Sequence, residues 1–264
     1  MADLSARCES GHARLAGMRR RLKLAGRACL ARIPSACGLC QGGARGGSLC
    51  RFCHAAVLRS MNSDTTRCPI CCLALADQGV CADCAARPPA FDRIIAAFDY
   101  APPGDLLIHH LKVGRRFTSA VMLAGMLAET VRDKAPRLPE NALLVPVPAS
   151  KASILARGFN PAAEIARGLA RELHMDCQPG LLLRAREGGR QTHLTRLERA
   201  ASVQHLYDCP RRVDGAAIAV VDDVLTTGST LHRIAQQFKA VGAAAVYGLV
   251  LARTPYPGPK PPGQ

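Results

Sequence analysis

The stretch AVVDDVLTTGST, residues 219–230, constrains this chain more than any other. Small and branched apolar residues run into two adjacent aspartates, then into a loop of threonine, glycine and serine. The segment AAIAVVDD (216–223) reads as a strand buried on both faces, and STLHRIAQQFKAVG as a helix closing on Gly242. In parallel α/β sheets, ligands bind where such a strand hands over to such a helix. Thr226, Thr227, Gly228, Ser229 and Thr230 would place backbone N–H groups and hydroxyls at a helix N-terminus, a cradle for phosphate. Beside a phosphate, Asp222 and Asp223 suit the vicinal hydroxyls of a ribose. A sugar phosphate satisfies every part of the pattern.

Two other nucleotide folds are excluded by what is missing. Apolar residues ending in acids also form the magnesium-binding strand of P-loop ATPases, but the chain contains no Gly-Lys pair to build the loop. No glycine fingerprint follows a first strand, which removes a dinucleotide fold. The remaining pattern alternates. RIIAAFDY (93–100), ALLVPVP (142–148) and AAVYGLVLAR read as strands. DLLIHHLKV, SAVMLAGMLAETVRD and NPAAEIARGLARELH (160–174) read as helices, the last with an Asn-Pro start. The expected class is α/β, a mostly parallel sheet flanked by helices.

Ahead of it lies a cysteine-rich module. Cys37, Cys40, Cys50 and Cys53 have the spacing C-x2-C-x9-C-x2-C, and Cys68, Cys71, Cys81 and Cys84 repeat it 31 residues later. Two such knuckles complete a tetrahedral thiolate site, and soft ligands select Zn²⁺ over hard cations. Four protein ligands leave no open position, so the metal would be structural. Sequential ribbons and an interleaved cross-brace share this pattern, and Cys72 competes with Cys71 as ligand. Cys8, Cys29, Cys177 and Cys209 are isolated and read as packing or surface thiols. The expected divisions are a basic segment 1–33, a double ribbon 34–87, the α/β domain 88–254 after the linker ARPPAFD, and a disordered Pro-rich tail 255–264.

The formal charge is +15, and it is uneven. Between Ser10 and Ser63 there are ten arginines and lysines and no acid. Such a block attracts phosphate backbones, with an affinity that falls steeply with salt. A solvated surface has the same composition, and charge alone leaves both open. The ten-residue run AAAVYGLVLA is too short to span a bilayer, and the N-terminus lacks an apolar leader, so the expectation is a cytoplasmic protein without a membrane span.

VVDDVLTTGST resembles the phosphoribosyl-pyrophosphate (PRPP) motif of type I phosphoribosyltransferases. The order of CxxC quartets, PPAFDRIIAAFDYAPP, LIHHLK, VPVP, RGFN and a terminal LAR is similar to that of the ComF/GntX family, a zinc ribbon preceding a phosphoribosyltransferase-like domain. The resemblance implies that Asp222 and Asp223 contact the ribose and that Thr226 to Thr230 hold the 5′-phosphate. It further implies that Lys151 and Arg157 face the diphosphate with its Mg²⁺, and that Lys112 with Arg115 and Arg116 closes from the hood. Residues 186–201, with Gln191, Leu194 and Arg199, match the family's mobile loop. Pro161, Gly188, Ser202 and Val113 depart from the pattern outside the PRPP motif. The family implies a role in competence, the uptake of single-stranded DNA, near a helicase or recombination proteins. An active transferase of nucleotide metabolism acting on a base or amine is the alternative. No catalytic base or acceptor pocket is identifiable, and His109, His110, His193 and His205 read as surface or core residues.

Overall fold

The computed structural model describes residues 32–62, 65–75, 79–113, 117–134, 138–184 and 206–255. The basic N-terminal segment, Arg115, Arg116, the charged loop 186–201 and residues 256–264 lie outside the described residues. The chain forms two compact units, Met1–Cys53 and His54–Gln264.

The first unit is built on a short hairpin, β1 (Pro34–Ala36) against β2 (Gly43–Arg45), antiparallel. Between the strands, the Cys37 N–H donates to Gly42 O at 2.7 Å and the Gln41 N–H to Cys37 O at 3.0 Å. Gln41 takes a left-handed φ of 62° to close this turn. Helix α1 (Arg51–Asn62) starts within the second cysteine pair.

In the second unit the same turn recurs 31 residues on. The Cys68 N–H donates to Leu73 O at 2.8 Å, the Cys72 N–H to Cys68 O at 3.0 Å, and Cys72 has φ 60°. An antiparallel bridge joins Arg67 to Ala74, and the short helix α2 (Ala82–Ala86) follows. The periodicity of the cysteines is therefore a periodicity of backbone structure.

The sheet has four parallel strands in the order β3 (Arg93–Asp99), β8 (Ala245–Arg253), β7 (Ala217–Leu225), β4 (Leu143–Pro146). Helices α3 (Gly104–Lys112), α4 (Phe117–Lys134) and α6 (Pro161–Leu173) pack on it, and α4 meets α6. Helix α5 (Lys151–Arg157) joins β4 to α6, a small hairpin pairs β5 (Leu183–Arg184) with β6 (Tyr207–Asp208), and α7 (Ser229–Ala240) links β7 to β8. Side chains alternate along a strand, so each strand feeds two cores. Ile94, Ala96, Ile218, Val220, Val246 and Val250 join Leu231, Ile234 and Phe238 of α7 in one cluster. Residues of opposite parity, Ile95, Ala219, Val221 and Leu249, are buried on the other side, where α4 and α6 contribute Leu123, Leu127, Ile165 and Leu169. The two helices approach closely because residue 168 has no side chain: a Cβ there would stand 2.4 Å from that of Ala124.

The second cysteine quartet is part of the α7-side core. Cys68, Cys71, Leu73 and Cys81 belong to the same buried cluster as the strands, with Met61 of α1. The Ile94 N–H of β3 donates to Ile70 O at 2.7 Å. Arg67 holds Asp99, the last residue of β3, through two nitrogens at 2.7 and 3.0 Å, and Ser60 O with one of them at 2.7 Å. This ion pair is nearly buried at both ends, and removing one partner would strand a charge at a cost of about 3–5 kcal/mol.

Candidate functional site

β4 ends at Pro146, opposite Val221, whereas β8 continues beside β7 to its last residue. The Val147 N–H makes one further bond to Val221 O. From Asp222 onward, β7 is therefore paired on one side only, and a crevice opens where β4 stops. The two aspartates straddle the sheet. Asp222 shares its parity with Ile218 and Val220, and thus faces the α7 side. Asp223 points to the opposite side, where Lys112 at the end of α3 pairs with it, Nζ to Oδ2 at 3.1 Å. Burial and the neighbouring Asp223 charge push the Asp222 carboxyl up to about 7, against opposing pulls from the Asp223 N–H and from Lys112.

After β7 the chain turns at Gly228, whose φ of 78° is the left-handed region that glycine enters without strain. No side chain caps α7. The Thr227 and Ser229 hydroxyls lie 3.1 Å apart, and the Ser229 N–H reaches Thr227 Oγ1 only at 3.4 Å. A helix start without a side-chain cap leaves first-turn N–H groups for an external acceptor, and the helix dipole favours an anion there. Thr226, Thr227, Ser229 and Thr230 are exposed around it.

The loop is braced from behind. Arg253, the last residue of β8, is 5% exposed. Its Nη1 donates to the carbonyls of Leu225 at 3.2 Å, Thr226 at 2.5 Å and Thr254 at 2.9 Å, while its Nε donates to Cys71 O at 3.1 Å. The Ala90 N–H donates to His232 Nδ1 of α7 at 3.0 Å, and Phe91 lies against Gly228. Between the loop and the second quartet is a cavity of about 810 Å³, walled by Leu73, Cys84, Arg87 and Phe91 on one side and by Thr226 to Ser229 on the other.

Both cysteine quartets close in space as sequential sets, 37/40/50/53 and 68/71/81/84, with all sulfurs of a set within 4.8 Å of one another. That settles the pairing as sequential ribbons. Cys72 is outside the second set because it is the left-handed residue that closes the knuckle, the counterpart of Gln41. A tetrahedral ion with Zn–S bonds of about 2.3 Å requires sulfurs about 3.8 Å apart. The Sγ separations are 3.7 Å for Cys40–Cys50, 3.8 Å for Cys68–Cys84 and 3.7 Å for Cys71–Cys81. The residues fit such an ion. Their protonation fits as well. Burial opposes ionisation of Cys37, yet the N–H groups of Cys40, Cys50 and Leu39 outweigh it and bring the thiol down to about 6. Cys68 is lowered in the same way, by the N–H groups of Cys71 and Ile70. Hydrogen bonding to Cys40, with some desolvation, pushes Cys53 up to about 12. Burial pushes Cys71 up to about 11 and Cys84 higher still. One thiol in each set is thus favoured as thiolate by its knuckle, whereas Cys53, Cys71 and Cys84 are held protonated until a cation arrives.

Of the residues expected at the sugar-phosphate site, Asp222, Asp223, Lys112 and the loop Thr226–Thr230 are brought together. Lys112 meets a carboxylate of the motif, so in the absence of ligand it neutralises the site it was expected to close. Lys151 and Arg157 sit on α5, a capped helix in which Ser150 Oγ accepts from the Ser153 N–H. Among the described residues neither pairs with a carboxylate. Asn160 of RGFN caps α6 through the Ala162 N–H, and its amide donates to Val147 O at 2.9 Å, which fixes α6 to the end of β4. Three residues escaped the sequence reading: Arg253, whose only signal was its place in the terminal LAR, His232 and Arg67.

The site and fold define an α/β protein with a parallel sheet, two carboxylates and an uncapped helix start at the end of one strand, and two clusters of four cysteines that could each hold a metal ion. No family model matches the chain. The chain is 33% identical over 229 residues to the DNA utilization protein YhgH of Escherichia coli O157:H7, covering 84% of this chain and 98% of that protein. It is 27% identical over 180 residues to competence protein F of Haemophilus influenzae, covering 66% and 78%. The chain belongs to the family of the DNA utilization protein YhgH. Among solved structures, it is similar to a glutamine PRPP amidotransferase from B. subtilis complexed with ADP and GMP (TM-score 0.36, 22% identity, 50% of this chain). It spans about a quarter of that enzyme, 25%. A hypoxanthine phosphoribosyltransferase of Trypanosoma cruzi is also similar (TM-score 0.32, 18% identity, 57% and 70% covered). No described helix is long and apolar enough to cross a membrane.

Proposed function

We propose that this protein acts in DNA uptake and use, with a domain, residues 88–254, that binds PRPP or a related sugar phosphate. The observation that carries this reading is the half-open end of β7. There two carboxylates adjoin a loop whose helix N-terminus is uncapped, in a chain that is 33% identical to a DNA utilization protein. Asp222 and Asp223 would accept from ribose hydroxyls, and the first-turn N–H groups of α7 would hold the 5′-phosphate. Lys112 would leave Asp223 and turn to the diphosphate. Mg²⁺ would arrive with the diphosphate and supply charge neutralisation. Lys151 and Arg157 would serve the diphosphate from α5.

Zinc would fill both quartets as a structural ion. The zinc-saturated protein is expected to contain about two zinc ions per chain, by the four-ligand rule. A metal analysis finding none would remove the ribbon reading.

The basic stretch between Ser10 and Ser63 would contact single-stranded DNA, with a competence helicase or recombination proteins as neighbours. The test is binding of a labelled single strand at two salt concentrations, with and without PRPP and Mg²⁺. Log affinity should fall with log salt at a slope of about −0.7 per phosphate neutralised. Binding that ignores salt would sink the DNA contact. Pyrophosphate release from PRPP with a base or amine would favour a transferase instead.

A further inference from the structure

We propose that Arg253 joins metal binding at the second cysteine quartet and ligand binding at the phosphate loop into one linked equilibrium. This rests on the reading of Thr226 to Thr230 as a sugar-phosphate seat. Arg253 is a positioning residue: it faces the inner side of the loop and acts through the backbone. Its Nε holds the carbonyl of Cys71, a member of the quartet, while Nη1 holds the carbonyls of Leu225 and Thr226. The guanidinium is planar and always charged, so these carbonyls are fixed to a rigid fork. With Arg253 almost wholly buried, slack at either edge would strand a charged donor without an acceptor.

A metal ion would fix Cys71 Sγ, and with it the Cys71 peptide. The same fork then fixes the Thr226 carbonyl, which shares its peptide with the Thr227 N–H at the start of the loop. A second brace runs from the same quartet. The chain leaving Cys84 sets the Ala90 N–H on His232 Nδ1 and places Phe91 against Gly228. Metal occupancy therefore pre-positions the loop from two sides. Linkage makes the effect mutual: whatever factor zinc lends to PRPP affinity, PRPP must lend to zinc affinity.

The experiment measures zinc affinity of the full chain by competition with a chromophoric chelator, at constant Mg²⁺, with and without saturating PRPP. PRPP affinity of zinc-loaded and zinc-depleted protein is measured alongside. Both affinities are expected to change by the same factor, about tenfold. The factor should persist in Cys40→Ser, which keeps only the second quartet complete. It should fall sharply in Arg253→Met, which leaves only the Ala90–His232 brace, and less in Arg253→Lys, which keeps one charged donor. A wild-type zinc affinity that PRPP leaves unchanged overturns the linkage, and requires no variant to fold. A full factor retained in Arg253→Met overturns the role of Arg253. PRPP failing to bind zinc-loaded wild-type protein is a separate outcome, and overturns the reading of the loop itself.

Discussion

Asp222→Asn is expected to make the ligand-free protein more stable above pH 7 while removing most of its affinity for PRPP. The carboxyl ionises near 3.8 in an unfolded chain and near 7 in the folded one, where burial and the Asp223 charge oppose ionisation. Between those values the native state keeps a proton that the unfolded state has lost. Stability is therefore full below about pH 4 and declines as pH rises through about 7. The amide cannot ionise, so the variant should lack this decline and gain about 1–3 kcal/mol at pH 8. The same change removes a charged acceptor from the ribose, worth about tenfold to a hundredfold in affinity. With Asp223→Asn added, binding should disappear. Wild-type affinity should rise with pH through about 7, as Asp222 ionises. Denaturant melts at pH 4, 6 and 8, with calorimetry of PRPP binding, check both halves. Unchanged affinity in the double variant would sink the ribose assignment; a pH-independent stability would sink the half-buried, proton-holding Asp222.

The second large effect separates the two quartets. Cys71→Ser is expected to cost the larger unit its cooperative unfolding, or several kcal/mol of stability, because that quartet is built into the core. Loss of a structural metal and an uncompensated cluster of buried thiols act together there. Cys40→Ser, at an exposed position of the first unit, should leave the melting of the larger unit within about 1 kcal/mol of wild type. Equal damage from both substitutions would contradict the division of the chain at Cys53. Thermal melts followed by near-ultraviolet circular dichroism, with zinc content measured on each variant, distinguish the cases.

Much of this was legible in the residues. AVVDDVLTTGST carries its own buried strand, carboxylates and helix start, and the structure places all three together because they are neighbours in the chain. The alternation of strands and helices gave the parallel sheet by the same local logic, and Asn160-Pro161 marked the start of α6. What stayed hidden depends on contacts between distant segments. The Arg253 hydrogen bond to Cys71 crosses 182 residues, and the Ala90 bond to His232 crosses 142. No spacing rule reaches that far. The linker expected near ARPPAFD illustrates the same limit. Phe91 is buried and the Ala90 N–H is bonded to His232, so the segment braces the site. The choice between Cys71 and Cys72 turned on a backbone angle. A left-handed φ of 60° at Cys72 is invisible in composition.

The repeated knuckles have met different fates. One copy has its sulfurs and flanking apolar residues locked among the strands, where a change in volume of a single methylene is felt. The other belongs to the small unit, with exposed residues on both of its strands. A duplicated motif that has surrendered one copy to the interior keeps the other free to vary. Substitutions at the exposed residues of β1 and β2 fall outside the buried positions of the sheet. The chain thus carries one knuckle committed to the interior and another whose strands keep exposed residues.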